Sequence, residues 1–317
     1  MNQTALTAPE PTPSAFSNPV RRYLFATRPA FLSIALVGCV LGLATGADGA
    51  FSWSLACVTL ALGPMAQAGV NVLNDYYDHL NGSDEANLGR VYPFTGGSRF
   101  IQNGVMSPRQ TLVFGLLLFA VVMVAGLWLA SLSGSGLIWI GLSGLLIGWA
   151  YSAPPLQLNS RGLGEICVAA GFLLLFVGAG FVQGGARSHA PWLVGLPYAL
   201  LVSNVLYINQ FPDREADIQA GKLHWVARLD PATAVYGYWL MLFLAIAVSL
   251  ALVVSGQLPV EALVSLAFVP AAIKGGRGLA HDAAAPARLG PAIRMTILAA
   301  HVQPLLLALA LIGSRQG

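Results

Sequence analysis

Charge is what this chain has least of. Only 9% of its 317 residues are Asp, Glu, Lys or Arg, where soluble globular domains carry about 25%. Hydrophobic residues make up 56% and the mean hydropathy is +0.70. One large or two small soluble domains are thereby excluded, and a polytopic membrane protein is indicated. Cysteine is scarce as well: Cys39, Cys57 and Cys167 lie in apolar segments without CxxC spacing. That argues against a disulfide or thiolate–metal framework and leaves three small packing side chains. The net charge of +3 comes from basic residues scattered over several loops, so no nucleic-acid surface is indicated. The first twenty residues lack an apolar core and are rich in Pro, Ser and Thr. They predict a disordered tail over 1–20, not a signal peptide, ahead of a single polytopic domain over 21–317.

Apolar runs are what the chain has in abundance. Nine are long enough to cross a bilayer, at about 30–47, 51–77, 111–132, 136–153, 164–183, 191–211, 232–254, 258–273 and 292–313. The expected fold is therefore an all-α membrane bundle. Gly63-Pro64 and Pro197 predict kinks in the second and sixth spans. With the N-terminal tail in the cytoplasm, all of the 16 Lys and Arg except Arg187 and Arg315 fall on the cytoplasmic side. The loops after the second, fourth, sixth and eighth spans then face the cytoplasm.

Two of these loops carry the scarce acids. NVLNDYYDHLNGSD places Asp75, Asp78 and Asp84 at and beyond the end of the second span, and NQFPDREADIQAGK closes the sixth with Asp213 and Asp217. Carboxylates beside hydrocarbon are expensive and mark function. Asn71, Asp75 and Asp78 stand at i, i+4 and i+7, and Asn209, Asp213 and Asp217 at i, i+4 and i+8. A continuing helix puts each set on one face. The matched Asn-x3-Asp spacing reads as a weak internal repeat, with four helices in 28–153 and four in 164–273. A solvated loop face paired with nearby arginines explains one such cluster less awkwardly than two.

Neither cluster has a His or Cys at ligand spacing, so zinc is disfavoured. Hard oxygen donors suit Mg2+, bridging one or two carboxylates to substrate phosphate oxygens. The turn Gly96-Gly97-Ser98-Arg99 offers backbone N–H groups and a guanidinium to such a phosphate, and Lys222 offers a point charge. His79 reads as a solvent-facing residue, and His189, His281 and His301 have no partner pattern.

At this point the residues resemble a family. Asn74-Asp75-Tyr76-Tyr77-Asp78 with Gly82-Ser83-Asp84 resembles the NDxxD…GxD signature of the UbiA superfamily of intramembrane prenyltransferases. Asp213-x3-Asp217, Gly221-Lys222 and Val226-Ala227-Arg228-Leu229 resemble its second signature. Tyr151-Ser152-Ala153-Pro154-Pro155, Arg161-Gly162-Leu163-Gly164-Glu165 and Ala26-Thr27-Arg28-Pro29 match further segments, so the likeness runs from residue 21 to about 313. The GxD spacing, Gln102-x-Gly104 and RGLGE are most similar to the 1,4-dihydroxy-2-naphthoate prenyltransferases of menaquinone synthesis. Tyr92-Pro93-Phe94-Thr95 and His224-Trp225 depart from that pattern.

The resemblance implies nine transmembrane helices around a central cavity, two four-helix halves plus a ninth, in a bacterial inner membrane. It implies Mg2+ held by Asp75, Asp78, Asp213 and Asp217, with Lys222 in the catalytic set. Asn71, Asn74, Asp84, Arg99, Tyr151, Arg161 and Asn209 would bind substrate. The substrates would be a polyprenyl diphosphate and an aromatic acceptor, 1,4-dihydroxy-2-naphthoate or another phenolic acid such as 4-hydroxybenzoate. Tyr76, Tyr151, Phe176, Tyr207 and Phe211 are the aromatic faces available to an allylic cation. An ion-coupled transporter is the rival reading, but transporter acids sit near the bilayer midplane and these sit at helix ends.

Overall fold

The computed structural model describes residues 9–46, 51–184 and 191–315, and among them there are only helices and turns. Arg187 and His189 lie outside the described residues. A short α1 (Pro19–Ala26) precedes α2 (Pro29–Gly46) and α3 (Trp53–Asn81), with a single turn, α4 (Ser83–Ala86), after α3. Then come α5 (Pro108–Ser133), α6 (Gly136–Ser152), α7 (Gly164–Val182) and α8 (Pro191–Gln219). The turn α9 (Trp225–Arg228) leads to α10 (Pro231–Val254), α11 (Val269–Asp282) and α12 (Gly290–Gly313). Eight segments are long and apolar enough to cross a membrane: α2, α3, α5, α7, α8, α10, α12 and the unit Val260–Asp282. The chain is an integral membrane protein. The remaining apolar helix, α6, is shorter at 17 residues.

Local sequence starts these helices where they start. Ser107 and Gln110 form a capping box at α5, with Pro108 in the first turn. Asp230 caps α10 through the Thr233 N–H at 3.0 Å, with Pro231 following. Pro64 lies within α3, and Pro197 and Pro212 within α8, and both helices run on through them. The acidic ends of the second and sixth spans are therefore helical to Asn81 and Gln219, beyond the expected 77 and 211. The eighth span also differs from expectation. Residues Val260–Phe268 wind as a 3-10 helix and α11 continues to Asp282, not 273. Pro270 sits in the first turn of α11, where a missing N–H costs nothing, so the proline begins the α-helical half.

The core is shared by α2, α7, α8, α10 and α12, with Tyr198, Phe176, Ile208 and Tyr238 fully buried. Helices α2 and α7 approach closely at small residues. A Cβ on Gly46 would stand 2.1 Å from the Gly180 carbonyl oxygen, so only glycine fits there. By contrast α5 turns Leu116, Leu117, Val124 and Leu132 outward, as a lipid-facing helix does.

Residues 9–20 do not behave as the expected tail. Glu10 pairs with Arg90 and accepts from Asn103 Nδ2 at 3.2 Å. Phe16 is buried against Phe100, with ring centroids 4.9 Å apart. One aromatic and one acid that find partners on the 87–106 loop are enough to hold this stretch down.

Candidate active site

Helices α3 and α8 end side by side, and their acids meet. Lys222, on the turn after α8, places Nζ 3.2 Å from Asp78 Oδ2 and 3.1 Å from Asp217 Oδ1. Burial opposes its charge, but Asp217 and Asp78 hold its pKa well above the usual lysine value. Asp75 forms an ion pair with Arg28, the second of the two residues between α1 and α2. Asp213 accepts from Asn87 Nδ2 at 2.5 Å and from the Gly96 N–H at 3.3 Å. Asp217 also faces His224, whose Nε2 lies 3.0 Å from its Oδ2.

The 87–106 loop lies across these acids, differently from expectation. Its N–H groups are spent on carboxylates: Ser98 N donates to Asp75 at 3.2 Å, and Gly96 N to Asp213. Buried carboxylates need donors, and the turn supplies them. Gly97, at φ 73°, passes so close to Asp84 that a Cβ would stand 2.6 Å from Oδ2. Asp84 lies outside the long helices, where burial, then the charges of Asp78 and Asp75, push its carboxyl well above the usual range.

The acids stand at one end of a cavity of about 400 Å³. Asn71, Asn74, Asp78, Asp84, Tyr151, Asn209, Asp213, Asp217 and Lys222 all line it. Its remaining length is mainly apolar, running past Leu62, Phe119, Ile140 and Leu175 to Val182 near the far end of α7, with Thr59 and Gln67 among the few polar groups. Asn74 is fixed by Nδ2 bonds to Asp78 (3.0 Å) and Ser152 (2.9 Å), and Asn71 by a bond to the Thr27 carbonyl (3.0 Å).

Three expected groups stand elsewhere. Asp75 is buried behind the wall on Arg28. Arg99 is buried and turned onto the Asp84 carbonyl. Arg161 is exposed and bonded to the Pro155 carbonyl at 2.7 Å, because it ends a 3-10 turn that faces away. Of the aromatic faces expected, Tyr151 lines the cavity, whereas Phe176, Tyr207 and Phe211 are core residues. Tyr207 spends its hydroxyl on the Ala234 carbonyl at 2.7 Å, and Tyr76 packs on Tyr77. Phe31, Phe94 and Phe119 line the cavity in their place. His79 meets Glu85 at the surface.

Sequence reasoning passed over Arg28, Asn87, Gln210 and His224 as site residues. Arg28 and Asn87 reach the acids only through tertiary contact. For His224 there was a signal, a histidine seven residues after Asp217 where the resembling motif has a smaller side chain.

Among the described residues no three His, Cys, Asp or Glu side chains converge on one point as they stand. The donor set fits a hard divalent cation: the carboxylates of Asp75, Asp78, Asp84, Asp213 and Asp217 outnumber the cations Arg28 and Lys222 that face them.

Comparison with known proteins agrees with this geometry. The model of the UbiA prenyltransferase family matches residues 35–290. The chain is 28% identical over 214 residues to the 1,4-dihydroxy-2-naphthoate octaprenyltransferase of Mycobacterium leprae, covering 67% of this chain and 70% of that protein. It is 30% identical over 221 residues to the protein of the same name from Mycobacterium tuberculosis, with 67% and 70% covered. A UbiA homolog from Archaeoglobus fulgidus superposes with a TM-score of 0.65 at 17% identity, over 93% of this chain and 100% of that one. The same homolog bound to DMAPP and Mg2+ gives 0.59, over 90% and 99%. With its two aspartate-bearing helix ends closing one apolar cavity, the chain belongs to the UbiA prenyltransferase family.

Proposed function

We propose that this protein transfers a polyprenyl group from an allylic polyprenyl diphosphate to an aromatic acceptor, 1,4-dihydroxy-2-naphthoate, in an Mg2+-dependent reaction of menaquinone synthesis. The observation that carries the reading is Lys222 between Asp78 of α3 and Asp217 of α8, at the polar mouth of a cavity lined elsewhere mainly by apolar side chains. A diphosphate fits the mouth and an isoprenoid chain fits the remainder. The names of the mycobacterial relatives support the acceptor, and the DMAPP and Mg2+ of the archaeal homolog support the donor and the metal.

Asp78, Asp213 and Asp217, which line the cavity, are the residues that would hold Mg2+, together with Asp75, whose carboxylate would first have to leave Arg28. Bound there, the metal supplies Lewis acidity toward the diphosphate oxygens. Lys222 adds a fixed positive charge where the leaving diphosphate gains negative charge. Asn71 and Asn74 hold the carboxylate helix and its neighbours in register. The C–O bond to the diphosphate breaks and the electron pair leaves with it. A ring carbon of the acceptor then bonds to the prenyl C1, and that carbon loses a proton or CO2 to regain aromaticity. The apolar walls and the faces of Tyr151, Phe31 and Phe119 keep water from the electron-poor carbon.

On this reading α6 also crosses the membrane as the fourth of nine spans, the first eight spans form two four-helix halves with α12 as the ninth, and the acidic ends face the cytoplasm of a bacterial inner membrane. The test is prenyl transfer by purified protein in detergent, with labelled polyprenyl diphosphate and a panel of acceptors. Product from 1,4-dihydroxy-2-naphthoate, abolished by EDTA and in Asp75→Ala and Asp213→Ala, is the expected result. Product from 4-hydroxybenzoate alone would move the pathway, and folded protein without transfer to any acceptor would overturn the reading.

A further inference from the structure

One turn below Asp213, α8 interrupts an apolar run with two amides, Asn209 and Gln210, and both line the cavity. Gln210 is 7% exposed, and its Nε2 donates to Glu165 Oε1 of α7 at 2.8 Å. A carboxylate only accepts, so Glu165 fixes which way the amide faces: nitrogen toward α7, oxygen away from it. That oxygen, Gln210 Oε1, is buried and meets no donor among the described residues, and the same holds for Asn209 Oδ1. Two adjacent buried acceptors left without a partner on a cavity wall are open to a ligand that brings donors.

The ligand chemistry is narrow. A prenyl chain has no polar hydrogen, and a metal-bound diphosphate presents acceptor oxygens. Of the substrates proposed above, only the hydroxylated ring brings O–H donors. Asn209 stands four residues before Asp213, about 6 Å along the helix toward the membrane interior. This is the level at which the polar mouth gives way to hydrocarbon, where the reacting prenyl carbon would lie. We propose that Gln210 Oε1 and Asn209 Oδ1 accept hydrogen bonds from the ring hydroxyls of the aromatic substrate, with Glu165 as the positioning residue for Gln210. The inference rests on the prenyl-transfer reading and names the residues that select its acceptor.

The experiment compares 1,4-dihydroxy-2-naphthoate with 1-hydroxy-2-naphthoate, which lacks one hydroxyl, in wild type, Gln210→Met and Glu165→Gln of the full chain. Gln210→Met keeps the side-chain length and removes the acceptor. It is expected to raise KM for the dihydroxy acceptor about tenfold and to shrink the preference for it over the monohydroxy compound. KM for the polyprenyl diphosphate is expected to stay within about twofold. Glu165→Gln lets the Gln210 amide turn, so acceptor KM should rise there too. Binding of polyprenyl diphosphate with Mg2+ by calorimetry reports whether each variant is folded. A folded Gln210→Met with unchanged acceptor KM and unchanged preference overturns the inference. If that variant does not fold, an unchanged acceptor KM in Glu165→Gln overturns it. Failure of the prenyl-transfer reading looks different: wild type that binds polyprenyl diphosphate yet prenylates no hydroxylated aromatic.

Discussion

His224 donates to Asp217, and the geometry fixes the tautomer that does so. His224 Nδ1 accepts from the Ala227 N–H at 3.1 Å, capping α9, so the ring proton sits on Nε2, 3.0 Å from Asp217 Oδ2. The ring is buried, and it ties the start of α9 to a carboxylate proposed to hold metal. One side chain thus does two tasks, and they separate by mutation. His224→Thr retains a capping oxygen and loses the donor to Asp217. It is expected to fold with near wild-type stability while weakening Mg2+ affinity by about 10- to 100-fold. His224→Ala loses the cap as well, a further cost of ~1 kcal/mol in stability. Titration with Mn2+ in the presence of an unreactive prenyl diphosphate analogue checks the first, and thermal unfolding in detergent the second. Equal metal affinity in His224→Thr and wild type would remove the positioning role.

The ion pair of Arg28 and Asp75 gives a prediction with two readouts. Asp75 is buried, and its only charged partner within salt-bridge distance among the described residues is Arg28. Arg28→Met leaves that carboxylate uncompensated and is expected to cost ~3 kcal/mol or more. Adding Asp75→Asn removes the charge yet keeps an oxygen for the Ser98 N–H, so most of the stability should return. Prenyl transfer should not return, because the amide is a poor ligand for a hard cation. Tm and activity measured on the single and double variants check this. Activity that recovers with stability would show that Asp75 serves the fold alone.

Asp84 sets the sign of a pH dependence. Burial and the neighbouring carboxylates raise its pKa in the folded chain, so the folded state holds this proton at pH values where the unfolded chain has released it. Through that window, which opens near pH 4 and extends upward, its contribution to stability falls as pH rises. Asp84→Asn removes the penalty and is expected to raise Tm at pH 7 above wild type, with little difference at pH 4. Mg2+ with diphosphate should narrow the gap by favouring the charged form of the wild-type residue. Unfolding curves at the two pH values decide, and a variant no more stable than wild type at pH 7 would count against it.

How much of this was legible follows from how local each signal is. Asp75, Asp78, Asp213 and Asp217 stood out because acids at helical spacing closing an apolar run are rare and need no partner to be noticed. The repeat spacing even implied that the two sets belong together, and Lys222 does join them. The pairing of Arg28 with Asp75, or Asn87 with Asp213, depends on helix packing that spacing does not encode. Arg161 misled for the same reason: its motif was recognisable, but a 3-10 turn aims it at Pro155. Phe176, Tyr207 and Phe211 were apolar aromatics near the right level, and whether such a ring faces core or cavity depends on helix rotation. The expected eighth span ends at 273 because Lys274 and Arg277 close the apolar run there, whereas α11 carries those charges on to Asp282.

Chain length should depend on the floor of the cavity, and two glycines mark where to test it. Gly141 of α6 and Gly171 of α7 line its apolar part, and nothing stands within 4 Å of a Cβ placed on either. A helix-interior glycine costs up to ~1 kcal/mol relative to alanine. These two earn no close helix contact in return, so their effect is to leave width. Gly171→Leu and Gly141→Leu are therefore expected to fold as well as wild type or better. They should lower kcat/KM for long polyprenyl diphosphates while leaving a short donor such as dimethylallyl diphosphate nearly untouched. A series of donors of increasing length, assayed with one acceptor, reads the effect as a shift of the preferred length to shorter chains. An equal loss for short and long donors would place the damage at the diphosphate end, and an unchanged profile would mean that the chain leaves the cavity for lipid before reaching α6 and α7.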